Sequence, residues 1–195
     1  MKTIVTGGAG FIGSHLADLL LKMGHDVTVI DNYSTGRPGN LAHHAGNPSL
    51  HLVEADIADF GNVEKHFQDV DWVFHLAALA DIVPSIQHPM EYHHSNVDGT
   101  VSVLEASRKH GVKRFIYAAS SSCYGLPDVF PTPETAAIRP EYPYAVTKNL
   151  GEQYVIYWNR IYGLPTVALR MFNVYGPRSR TSGTYGAVFG VFLAQ

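Results

Sequence analysis

The chain has 195 residues, of which 46% are hydrophobic and 16% charged, and a formal net charge of -3. That composition is globular with length for one full core, and the absence of any basic run excludes nucleic acid or an anionic membrane surface as the main partner. The single cysteine, Cys123, excludes an internal disulfide and predicts a reducing, cytoplasmic compartment, and no apolar run is long enough to span a bilayer.

Lys2 to Thr6 reads as a short buried strand, so the fold begins at once and no signal peptide is expected. Phe11, Ile12, Leu16, Leu19, Leu20 and Met23 recur at helical spacing, which puts the glycines in a strand-to-helix turn. Gly7 can take a backbone conformation closed to other residues, Gly10 lets a diphosphate approach the chain, and Gly13 lets the helix pack tightly on the strand. The helix N-terminus offers free N–H groups and a positive dipole end to a pyrophosphate. Gly24 closes the helix, and Asp26 to Ile30 forms a second buried strand with Asp31 at its end. A carboxylate there accepts hydrogen bonds from the adenosine ribose hydroxyls and repels a 2′-phosphate, so the expected cofactor is NAD rather than NADP.

Leu50 to Glu54 is a third strand, followed by Asp56, and Val70 to Leu76 contains a fourth. His75, at the end of that strand, reads as a packing residue. A helix is predicted from about Pro89 to His110, with Val97, Val101, Leu104 and Ala106 among its apolar positions. Arg114 to Ala118 is a fifth strand. Leu126 to Pro143 is a long proline-rich loop, as expected of a functional loop. Pro143 opens a second long helix that ends near Gly163, and Thr166 to Arg170 is a sixth strand. This alternation predicts an α/β fold, a Rossmann doubly wound parallel sheet with ligands at the C-terminal strand ends.

Eleven histidines raise the question of a metal. His43 with His44, and His93 with His94, are adjacent and are expected to point apart, and no HExxH or Cys/His cluster accompanies them; no metal site is expected. Tyr185 to Gln195 is apolar, without charge or cap, which predicts that the chain is a fragment of a longer protein.

Tyr144 and Lys148 lie four apart at the start of a helix and share one face. An ammonium nearby stabilises a phenolate, and so does a positive nicotinamide, which makes Tyr144 a candidate general base. Lys148 can also hold the nicotinamide ribose. Ser120, at the C-terminal end of the fifth strand, can hydrogen-bond the reacting substrate oxygen. A lone Tyr-x-x-x-Lys is common by chance; its weight comes from the dinucleotide turn upstream and the serine cluster before it.

These stretches together resemble an extended short-chain dehydrogenase/reductase of the nucleotide-sugar epimerase/dehydratase family. The resemblance spans essentially the whole chain. It is carried by Gly7 to Gly13, Asp31-Asn32 with Ser34-Thr35-Gly36, Asp56-Ile57, His75-Leu76-Ala77-Ala78, Asn96, Ser120 to Gly125, Pro143 to Lys148 and Arg170 to Arg178. It implies NAD contacts at Asn32, Ser34, Thr35, Gly36 and Asn96, with Asp56 and Ile57 flanking the adenine and Leu76, Ala77 and Ala78 lining the cofactor. It implies that Phe172 approaches the nicotinamide, that Asn173 touches the substrate diphosphate or sugar, and that Ala187 and Val188 lie near the nucleotide. By the same resemblance 1–180 is the NAD-binding domain with the catalytic residues, and 181–195 begins a substrate-binding region whose C-terminal domain is missing.

Dehydrating members of the family carry an Asp-Glu pair directly after the catalytic hydroxyl residue, and decarboxylating relatives carry a Glu near the same place. Here Ser121 and Ser122 stand there and can supply neither acid nor base. The resemblance is thus to 4-epimerases acting on UDP-glucose or UDP-N-acetylglucosamine, and it implies substrate contacts at Ser120, Ser121, Ser122 and Tyr144. It also implies a homodimer that pairs the two long helices into a four-helix bundle. A nucleotide-sugar dehydratase or reductase, or a non-catalytic NAD-binding fragment, remains an alternative.

Overall fold

The structure, a computed structural model, describes residues 1–179. Ala187 and Val188, and the apolar stretch 185–195, lie outside the described residues. Six parallel strands form one sheet: β1 (Lys2–Thr6), β2 (Asp26–Asp31), β3 (Leu50–Glu54), β4 (Trp72–His75), β5 (Arg114–Ser120) and β6 (Thr166–Met171). Their order across the sheet is β3-β2-β1-β4-β5-β6, with every neighbouring pair parallel. The chain turns back between β1 and β4, and at such a switch point the strand ends leave a crevice for a ligand.

The described residues form the helices α1 (Phe11–Lys22), α2 (Phe60–Val63), α3 (Ile82–Gln87), α4 (Pro89–His93), α5 (Gly99–Lys109) and α6 (Pro143–Tyr162). Because a strand alternates its faces, β1 feeds two cores. Ile4 packs with Val73, Leu104, Phe115 and Tyr117 on one side, under α5 (Gly99–Lys109) and α6 (Pro143–Tyr162). Val5 packs with Ala17, Leu20, Val27 and Val29 on the other, under α1 (Phe11–Lys22). Proline opens α6, where a missing N–H costs nothing, and Gly163 closes it.

Two elements depart from expectation. The helix expected from Pro89 to His110 comes in three parts: Pro89–His93, a π-helical turn at His94–Asp98, and α5. The fifth strand runs on to Ser120, because β6 pairs with it as far as Ser120↔Met171.

Phe115 is fully buried at the centre of the larger core. Phe115→Ala is expected to lower unfolding stability by about 3–5 kcal/mol, read as a drop in urea midpoint.

Candidate active site

A cleft of about 270 Å³ opens at the switch point. It is lined by Gly7, Gly10, Phe11, Ile12 and Gly13 after β1, by Asp31, Asn32, Ser34 and Thr35 after β2, by Asp56 and Ile57 after β3, and by Leu76, Ala77 and Ala78 after β4. Residues from four separate strand ends, expected to share one ligand, therefore do share one cavity. Ile30, Ala55, Ala80, Ser95 and Ala118 complete it. Ala55 and Ala80 are near neighbours of expected positions. Ser95 arrives through the π turn, which no local sequence signal announced.

The cleft fits a dinucleotide. Gly7 has φ +69°, and a Cβ there would lie 2.7 Å from the Ala77 backbone nitrogen. A Cβ on Gly13 would overlap the Gly7 carbonyl. Turn, helix and β4 thus meet backbone to backbone, and the wall facing the cleft is main chain, open to a diphosphate. The Asp31 carboxylate accepts the Ala9 N–H on Oδ2 and the Tyr33 N–H on Oδ1, each at 2.9 Å. One lone pair on each oxygen is left for a diol.

Ser120, Tyr144 and Lys148 gather at the C-terminal end of β5. Ser120 Oγ accepts from the Ser122 N–H at 3.2 Å and from the Ser122 hydroxyl at 2.8 Å. Its own proton remains for Tyr144, with which it is hydrogen-bonded. Burial raises the Tyr144 phenol, and the Ser120 hydrogen bond opposes this without cancelling it. Burial also pulls the Lys148 ammonium down to about 7, with Glu152 one turn on opposing. The Lys148 Nζ lies 4.2 Å from the centre of the Tyr117 ring.

A model described as the NAD dependent epimerase/dehydratase family matches residues 3–195. The chain belongs to this family. The dinucleotide of the cleft is therefore NAD. The UDP-glucose 4-epimerase of Mycolicibacterium smegmatis is 39% identical over 191 residues, which are 96% of this chain and 61% of that protein. A UDP-N-acetylglucosamine 4-epimerase from Methanobrevibacter ruminantium M1, solved in complex with UDP-N-acetylmuramic acid, superposes with TM-score 0.94 at 38% identity over 99% of this chain and 61% of that one. The UDP-glucose 4-epimerase from Thermotoga maritima, solved with UDP-glucose, gives 0.92 at 40% identity, over 98% and 62%. The chain thus spans about three-fifths of the length of these epimerases.

Several other residues expected at the site do not line the cleft itself. Asn96 is buried; its side chain accepts from the Leu79 N–H at 2.8 Å and donates to the Leu79 carbonyl and to Thr147 Oγ1, each at 3.0 Å. It latches β4's exit to α6 instead of facing the cleft. Ser122 supports Ser120. Gly36 is not part of the cleft lining. Phe172 is 60% exposed and stacks on Tyr124, 6.5 Å between ring centres; Asn173 beside it is exposed. Ser121 is half-buried on the turn after Ser120. Lys148 is not among the groups that lower the Tyr144 phenol.

His43 and His44 also correct an expectation, since their rings converge. Both Nε2 atoms reach Asp18 Oδ1, at 2.9 and 2.8 Å, and the Arg178 guanidinium holds Oδ2 at 2.8 Å. They sit at the end of a 3-10 helix (Pro38–His44), which turns successive side chains differently from an α-helix. Burial raises the Asp18 carboxyl, but bonds from His44, Arg178 and His43 outweigh it and hold it low. Asp18, His43 and His44 thus bring three ligand-type atoms within 4.8 Å of one another, with the Arg178 guanidinium on the same carboxylate.

Lys148 gives the family site a pH signature. Its value falls from 10.5 to about 7 on burial. Between these values the unfolded chain holds a proton that the folded one has released, so stability rises with pH across that window. Lys148→Met removes this contribution. Urea midpoints at about pH 7 and about pH 9 are expected to rise more steeply for the wild type than for the variant. Equal slopes would mean that the ammonium is not destabilised by burial.

Proposed function

We propose that the protein is an NAD-dependent 4-epimerase of a UDP-hexose, either the glucose/galactose pair or its N-acetylated counterpart, and works in a reducing cytoplasm. The observation that carries this reading is the Ser122–Ser120–Tyr144 array. One serine turn aligns a hydroxyl on the phenol, and the residues after Ser120 are Ser121 and Ser122 rather than a carboxylic acid pair.

Tyr144 takes the proton from the sugar 4-hydroxyl. When bound, the nicotinamide ring supplies the oxidant for C4, and its positive charge favours the phenolate. Ser120, held by Ser122, aligns the same hydroxyl. Lys148 holds the nicotinamide ribose, and its charge supports the phenolate once the site closes around its ligands. The 4-keto sugar turns about its diphosphate link, C4 is reduced on its other face, and Tyr144 returns the proton. Asn173 and the segment after β6 face the diphosphate. Residues 1–180 are the NAD-binding domain in this reading, and 181–195 begin the substrate-binding region.

In the full-length protein, Tyr144→Phe should lower kcat by about 10²–10⁴-fold while NAD stays bound, and Ser120→Ala should cost less. Products from UDP-glucose and UDP-N-acetylglucosamine, identified by NMR in deuterated water, should be C4 epimers with no label at C5. Label at C5 would signal elimination and sink the epimerase reading.

We also propose a homodimer. Of the apolar residues on α6, Val155 is buried and Trp158 packs on the core. The exposed stripe is Val146, Leu150, Tyr154, Tyr157 and Ile161, one face of α6 at helical spacing. A second copy related by a two-fold axis would cover it with its own α5 and α6 in a four-helix bundle. Light scattering at micromolar concentration should give twice the monomer mass; a monomer there ends this proposal.

A further inference from the structure

Gly36 lies on the loop after β2, and its backbone φ is not positive. Any L-residue could adopt that backbone, so conformation does not explain the glycine. Its surroundings do. A Cβ at position 36 would sit 2.8 Å from Oδ1 and 2.8 Å from Oδ2 of Asp31, and 3.0 Å from the Ala9 Cβ. No methyl group fits there without a shift.

The closeness has a cause. The Ala9 carbonyl accepts two hydrogen bonds from the loop, from the Arg37 N–H and from Asn40 Nδ2, each at 2.9 Å. These bonds draw the loop back against the glycine turn. The Ala9 N–H in turn donates to Asp31 Oδ2, and the Tyr33 N–H donates to Oδ1. The carboxylate is therefore fixed by one N–H from the turn and one from the loop, with the Gly36 backbone closing a third side. Asp31 is 7% exposed, and what is exposed faces the cleft.

We infer that Gly36 is a positioning residue for the cofactor: by carrying no side chain it lets the loop close on the glycine turn and keeps the Asp31 carboxylate aimed at the adenosine ribose diol. This rests on the reading of the cleft as an NAD site. Gly36 acts through Asp31 and does not itself line the cleft. Gly39, three residues on, makes the contrast, since a Cβ there would meet nothing within 4 Å.

Calorimetric titration with NAD, and with an NAD analogue whose adenosine ribose is 2′-deoxy, tests the inference. Gly36→Ala should weaken NAD about tenfold to a hundredfold, as expected when hydrogen bonds to a charged acceptor are misaligned. The wild-type preference for NAD over the 2′-deoxy analogue should shrink towards one, a readout that general loosening would not move. Gly39→Ala should leave affinity and preference unchanged. In an Asp31→Ala background, adding Gly36→Ala should cost nothing further. If Gly36→Ala alone fails to fold, that pair decides, because a clash with the carboxylate disappears when the carboxylate does; a pair that also fails to fold overturns the inference. So does a Gly36→Ala variant with wild-type NAD affinity, or one that weakens NAD and the analogue equally. A wild-type chain that binds no NAD overturns the cofactor reading and the inference with it.

Discussion

A buried line of hydrogen bonds ties the end of β1, beside the glycine turn, to α6. The Thr100 hydroxyl donates to the Asn96 carbonyl at 2.6 Å, so it can only accept from His75 Nε2, 2.9 Å away. That places the single ring proton of His75 on Nε2 and leaves Nδ1 to accept from the Thr6 hydroxyl at 2.7 Å. Burial first, and Lys148 second, push His75 down to about 3, so the imidazole stays neutral and the direction of the line never reverses. Beyond Asn96 the line continues through Thr147, whose hydroxyl bonds the Tyr144 carbonyl at 2.9 Å. The end of β1 and the first turn of α6 are thereby held in one register. In a dry interior each such bond is worth more than in water, and each unmet partner costs more.

Charge is arranged around the same helix with equal economy. Glu152, one turn after Lys148, is 4% exposed and receives three bonds from Arg170 on β6, from Nε to both oxygens and from Nη2 to Oε1. These bonds hold the guanidinium above its ordinary value. Arg170 also donates to the Tyr124 hydroxyl at 2.8 Å and the Glu134 carbonyl at 3.3 Å. One half-buried pair therefore joins α6, β6, the serine turn and the proline-rich loop. At Lys148 the cost of burying the ammonium outweighs the opposing Glu152 carboxylate, which is the physical reason it loses its proton readily.

Local patterning made the six strands, α1, α6 and the glycine turn legible, because burial of parallel strands and helical spacing leave strong marks on sequence. The cleft was legible for the same reason: strand ends are where the motifs fell, and the fold rule brings strand ends together. What escaped is what depends on tertiary pairing. Asn96 carries the mark of a site residue, yet Leu79 and Thr147 satisfy it from distant segments. His43 and His44 converge only because a 3-10 helix meets Asp18 on α1. The depressed Lys148 follows from burial under Tyr117, which spacing along α6 does not record.

Cys123 lies on the serine turn itself, 1% exposed, its carbonyl bonded to the Arg139 N–H at 2.8 Å. Burial raises its thiol, so the reactive thiolate is scarce as well as hidden. The chain thus carries a built-in clock. Because this chain holds one thiol, the rate at which a small alkylating reagent labels the native protein reports how often the packing around the serine turn opens, without a dye, a tag or a turnover assay.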